Sequence, residues 1–290
     1  MNMLKEEIMK RLSKLWVCSL ALTAMGSAYA AQTQVNLERD GLVVVPGLYH
    51  YDWGWPRQVA LGQLQGTTTL AYSDYLEGAL GVTYTEVQTV LPAMLDESGI
   101  NRVVSSPVQS MGGTFNDETQ TFTFTRVGSA GGMLWTMPAV RRDGKRNPAS
   151  TGGSLQLTNL TVDLVNQSVR ADVKGANGVG TLSQLPIWHY GQITGVTSDQ
   201  TPNAMEAWDG FQADFTVSQF TMDDRAFEVM ATSLGFTSFG RTAFMAVDGF
   251  GSLHVSAVTG FTVLPEPSSI LFMGLGLAGL GWASRRTQAA

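Results

Sequence analysis

The sequence predicts a mainly β protein: an antiparallel sandwich or barrel-like body with one or two short helices, set between an N-terminal signal peptide and a C-terminal single transmembrane helix. Three observations carry this. Of 290 residues only 14% are charged while 32 are glycine, against about a quarter charged in an average globular chain. Segments with period-two hydrophobicity recur between turn residues. Both ends of the chain carry an apolar run beside basic residues. With 44% hydrophobic residues the chain has material for a sizeable core.

At the N-terminus Lys5, Lys10, Arg11 and Lys14 precede an apolar run from Leu15 to Met25, followed by Gly26, Ser27 and the small residues Ala28 and Ala30. Charged, then apolar, then A-x-A is the order of a secretory signal, and cleavage by a signal peptidase is expected after Ala30. The apolar run is shorter than the roughly 20 residues that a spanning helix needs. The one cysteine, Cys18, lies inside this segment. The exported chain is therefore expected to have no disulfide, zinc thiolate site or cysteine nucleophile.

No Pro/Ser-rich linker or charge block interrupts residues 31–264, so they read as one β-rich domain. The whole chain has 18 basic and 24 acidic residues. Taking off Lys5, Lys10, Arg11, Lys14, Glu6 and Glu7 at the front and Arg285, Arg286 and Glu266 at the back leaves 12 basic and 21 acidic, a net of −9. An acidic body lacks the electrostatic footprint of a nucleic-acid binder.

Within the body, Gly41–Val45 and Val82–Val90 read as strands, with a short helix from Ser73 to Leu80 between them that stops at Gly81. Gly112–Val127 reads as two strands meeting at Asn116 and Asp117, the second alternating as Thr121, Phe122, Thr123, Phe124, Thr125. The clearest hairpin is Leu160–Val173. Leu160, Val162 and Leu164 take one face, Asn166 and Gln167 turn, and Val169, Ala171 and Val173 return, while Thr161, Asp163, Arg170 and Asp172 face water. Gly175–Gly180 reads as a turn. Thr221 and Asp224 suggest a capping box for a helix through Ala226, Phe227, Val229, Met230 and Leu234 that ends at Gly235. Arg241–Val247 and Gly251–Val263 read as closing strands.

The densest aromatic segment is Tyr49, His50, Tyr51, Asp52, Trp53, Gly54, Trp55. On a single extended strand Tyr49, Tyr51, Trp53 and Trp55 share one face and His50 and Asp52 the other. An aromatic row can stack on a sugar ring, although core packing is the commoner use of such a row. Arg141, Arg142, Lys145 and Arg146 form the one basic cluster, a solvated loop or a contact for an anionic polysaccharide. His189 sits between Trp188 and Tyr190, and His254 alternates with Ser252 and Ser256 on a late strand. No two histidines have metal-ligand spacing. The pairs Asp96/Glu97, Asp117/Glu118 and Asp223/Asp224 fall in loops, turns and a helix start. There is no G-x-S-x-G elbow, EF-hand spacing or P-loop lysine. No catalytic residue, metal or cofactor is expected, and the chain does not read as an enzyme.

At the C-terminus Pro265, Glu266 and Pro267 lead into Ser268 and Ser269. An apolar, glycine-rich run from Ile270 to Ala283 follows, closed by Arg285 and Arg286. The two prolines hold the backbone extended and deny it ladder partners. Ser268–Ser284 would span about 25 Å as a helix, and the arginines favour a cytoplasmic end. This tail resembles the PEP-CTERM sorting signal of Gram-negative bacteria. The resemblance implies a temporary inner-membrane anchor that an exosortase recognises at Pro265–Pro267 and removes, leaving the body at the cell surface or outside the cell. Gly152–Gly180 is similar to a block seen in bodies of such proteins and implies no chemistry. The expectation is thus an exported surface or matrix protein with a structural or binding role linked to exopolysaccharide or biofilm. The alternatives are a module binding a glycan or a haem-like ligand through Tyr49–Trp55 or His189, and then a secreted hydrolase.

Overall fold

The structure is a computed structural model that describes residues 32–52, 55–73, 86–96, 101–139, 149–200, 209–245 and 250–264. The expected signal segment with Ala28 and Ala30, the apolar tail and all but the first residue of the helix expected over Ser73–Leu80 lie outside them, and Ser73 itself ends a strand. Among the described residues no helix is long and apolar enough to cross a membrane.

The strands are β1 (Gln32–Glu38), β2 (Val43–Asp52), β3 (Trp55–Ser73), β4 (Glu86–Val90) and β5 (Met94–Asp96). Then come β6 (Asn101–Asn116), β7 (Thr121–Ser129), β8 (Gly132–Ala139), β9 (Thr151–Asp163) and β10 (Ser168–Gly175). The last are β11 (Gly180–Val196), β12 (Ser198–Gln200), β13 (Asp209–Met222) and β14 (Ser252–Val263), with helices α1 (Asp224–Ser233) and α2 (Ser238–Met245) between β13 and β14.

Among the described residues every pairing is antiparallel, and eight strands form a ring. β3 pairs with β14, β14 with β13, β13 with β11, β11 with β10 and β10 with β9. β9 then pairs with β7 through Arg126↔Asp163, Val127↔Val162 and Gly128↔Thr161, β7 pairs with β6, and β6 returns to β3. The ring decides between sandwich and barrel in favour of the barrel, a closure that leaves its members no free edge along the paired stretches.

The apolar faces point inward. Alternation is plainest on β14, where Leu253, Val255, Ala257 and Phe261 are buried and His254, Ser256 and Val258 are half-buried. One core runs through the barrel. At the end where β14 finishes, Phe211 stacks on Phe122 with centroids 4.8 Å apart and meets Phe115 and Phe261 at 6.0 Å. The interior is thus filled by side chains. Curvature comes from register shifts within β10–β9, β10–β11, β13–β14 and β14–β3. Near these shifts Gln63, Asn159 and Gln184 take positive φ of 52°, 52° and 47°, as a strand must where an extra residue is accommodated. Gly66, at φ 141°, faces Ala257 across the ladder, and a Cβ there would run into the Ser256 carbonyl oxygen.

Both hairpins read from the sequence are present, and they share one turn design. Asn116 Oδ1 accepts from the backbone N–H groups of Glu118 and Thr119 at 3.0 and 3.1 Å. Asp163 Oδ1 accepts from those of Val165 and Asn166 at 3.1 and 2.9 Å. Each is an Asx-turn, and each closes on a glutamine at positive φ, Gln120 or Gln167.

Two expectations are corrected. The cap of α1 is Asp223, whose side chain accepts from the N–H groups of Arg225 and Ala226, while Thr221 belongs to β13. The expected strand from Arg241 is helix α2 over its described part. Gly240 packs on the Ala149 carbonyl, Phe244 stacks on Phe227 at 5.6 Å, and Arg241 pairs with Glu228 of α1 at 2.6 Å. Gly235, at φ 65°, ends α1 as expected.

Candidate functional site

The last strand delivers the chain to the tail with no linker. β14 pairs with β3 up to Val263↔Val59, and the Leu264 N–H donates to the Gln58 carbonyl at 3.1 Å. The next residue, Pro265, has no N–H to give, so the ladder cannot continue in that register. Pro265, Glu266, Pro267, Arg285 and Arg286 lie outside the described residues. A protease needs unpaired, extended backbone, and the paired chain runs to Leu264.

Beside this exit stands the β2–β3 hairpin. Tyr49 pairs with Gln58, His50 with Arg57, Tyr51 with Pro56 and Asp52 with Trp55. The aromatic segment is therefore not one strand with a single aromatic face: Tyr49 and Tyr51 are on β2 and Trp55 is on β3. Trp53 lies outside the described residues, as do Arg141, Arg142, Lys145 and Arg146. Tyr49 is 42% exposed rather than core, and it continues a stripe with Leu42 at 48% and Val44 at 41%.

At the same end, β1, β6 and β7 bound an open groove of about 450 Å³ lined by Gln32, Thr114, Asn116, Thr119, Thr121 and Thr123. The strand ladder aligns Gln34, Thr114, Thr123 and Ser198 in one row and Gln32, Asn116, Thr121 and Gln200 in the next. Gln34 Nε2 donates to Thr114 Oγ1 at 2.9 Å. Every lining group is a hydroxyl or an amide, suited to hydrogen bonding with a neutral hydroxylated ligand. In the sequence Thr121, Thr123 and Thr125 read only as alternate residues of a strand. Their meeting with β1 depends on a pairing that joins Gln34 to Thr114 across 80 residues of chain.

The histidines with described side chains do not converge on a ligand. His189 Nε2 meets Asp223 Oδ2 at 3.3 Å, and Asp223 is also the α1 cap. His254 Nδ1 meets Thr216 Oγ1 at 3.1 Å on the outer face. Among the described residues no three His, Cys, Asp or Glu side chains are grouped to hold a metal. Tyr190 donates to the Asp163 carbonyl at 3.2 Å, and burial, with the Asp163 charge, pushes its phenol up to about 12.

Comparison with known proteins matches residues 263–286 to the PEP-CTERM protein-sorting motif. That motif marks a chain for export and exosortase processing, with its C-terminus held at the membrane beforehand. No curated protein matches the sequence. Among solved structures the chain is similar to the crystal structure of the haem-binding protein HtaB from Corynebacterium glutamicum, with 13% identity, 81% of this chain and 100% of that chain covered, and a TM-score of 0.41. A likeness at that level transfers neither fold nor ligand.

Proposed function

We propose that this is a surface or extracellular-matrix protein that is held temporarily at the inner membrane, cut by an exosortase and released as an intact β-barrel with a structural or binding role toward exopolysaccharide. The observation that carries it is the sorting motif starting at Val263, inside the last paired residues of β14. Because the Leu264 N–H is the final described backbone donor to β3, a cut beyond it removes the tail without opening the barrel. The groove of hydroxyl and amide groups supports the binding half of the proposal, since a neutral polysaccharide offers matching donors and acceptors. No catalytic step is assigned.

The test is intact mass and cell fractionation in the native host, wild type against Glu266→Ala. The wild type is expected to leave the inner membrane with a C-terminus at or beyond Leu264, and the variant to stay there at full tail length. Wild-type chain that keeps its tail and remains in the inner membrane would overturn the proposal.

A further inference from the structure

The exit of the tail and the aromatic hairpin lie side by side. β3 carries β14 on one edge and β2 on the other, so Gln58 is flanked by Tyr49 and Leu264. From that level β2 and β3 run on to the Asp52↔Trp55 pair. Three further residues of β3 extend about 10 Å at roughly 3.3 Å each.

The apolar span expected to open at Ser268 begins four residues past Leu264, a reach of at most about 14 Å. With the barrel axis along the membrane normal, the hairpin tip can therefore fall short of the start of the span by no more than about 4 Å, whereas the polar interface of a bilayer is itself about 5–7 Å deep. Tyrosine and tryptophan are the residue types that favour this layer, an apolar ring with a polar edge. The stripe of exposed Leu42, Val44 and Tyr49 leads along β2 toward the tip.

From this juxtaposition we infer that the β2–β3 hairpin, which carries Tyr49, Tyr51 and Trp55, seats in the bilayer interface while the chain is anchored and gives the tethered barrel a second point of contact. This rests on the anchored state proposed above. A body of net −9 is repelled by an anionic lipid surface, so the contact is apolar and aromatic in character and does not weaken with added salt.

The exported chain has no cysteine of its own, Cys18 being in the signal segment, so single labels can be placed. The full exported chain is labelled with an environment-sensitive fluorophore at Asp52→Cys, Gln58→Cys or Lys174→Cys and reconstituted in vesicles of phosphatidylethanolamine and phosphatidylglycerol bearing lipid nitroxides. Lys174 is at the opposite end of the barrel, beside the β10–β11 turn. Quenching is expected to be several-fold stronger at Asp52 than at Lys174, intermediate at Gln58 and not reduced by salt. Equal quenching at all three sites in chain that floats with the vesicles would overturn the interfacial seat alone. Chain that does not float would overturn the anchored state and this inference with it.

Discussion

Asp172 shows how much one side chain organises. Its carboxylate accepts from Asn159 Nδ2 at 2.8 Å, Ser183 Oγ at 2.9 Å, the Gln184 N–H at 2.9 Å and Gln184 Nε2 at 3.3 Å. These bonds join β9, β10 and β11 where Asn159 and Gln184 hold positive φ. Burial alone would raise its pKa, but the hydrogen bonds from Asn159, Gln184 and Ser183 outweigh that and hold it below the ordinary 3.8. A carboxyl with a lowered folded pKa stabilises the fold above its unfolded pKa, and the contribution is lost as pH falls through the lowered value. Asp172→Asn is therefore expected to cost about 1 kcal/mol near neutral pH. Its urea midpoint should also fall less than that of the wild type on acidification below about pH 4. In the sequence Asp172 reads as a wet-face residue and no more. Its partners sit on two other strands, so the network is not legible there.

The helices and hairpins differ in how far local sequence determines them. The turns after β6 and β9 are legible from Asn116 and from Asn166 and Gln167, although the residue that anchors the second is Asp163, whose carboxylate accepts bonds from two and three residues on. Helix α1 is legible from its periodicity, but its start is not, because Thr221 and Asp223 are both good caps and β13 claims Thr221 through its pairing with His189. Asp223→Ala is expected to cost about 1 kcal/mol in urea unfolding through loss of the cap, while Asp223→Asn should retain most of it. Helix α2 reads as a strand in the sequence. Contacts of Phe244 and Arg241 with Phe227 and Glu228 of α1, outside the segment itself, hold it as a helix.

For the whole molecule, closure depends on few contacts with long reach. The β7–β9 pairs link residues 126–128 to 161–163, and the aromatic group around Phe211 fills the barrel at the end where the tail departs. Phe211→Ala is expected to cost about 3–5 kcal/mol in urea unfolding and so to lower the yield of released body without altering recognition of the tail. By itself the sequence determined the export signal as an expectation, the sorting tail, the absence of cysteine from the body, the β class and the two hairpins, because each rests on residues adjacent in the chain. Tertiary structure alone decided barrel over sandwich, the helical state of α2, the hydroxyl-lined groove and the meeting of the aromatic hairpin with the tail exit. Helix α2 depends on its packing against α1, and the others require separate strands to share a register, which is set by which apolar faces can be buried together.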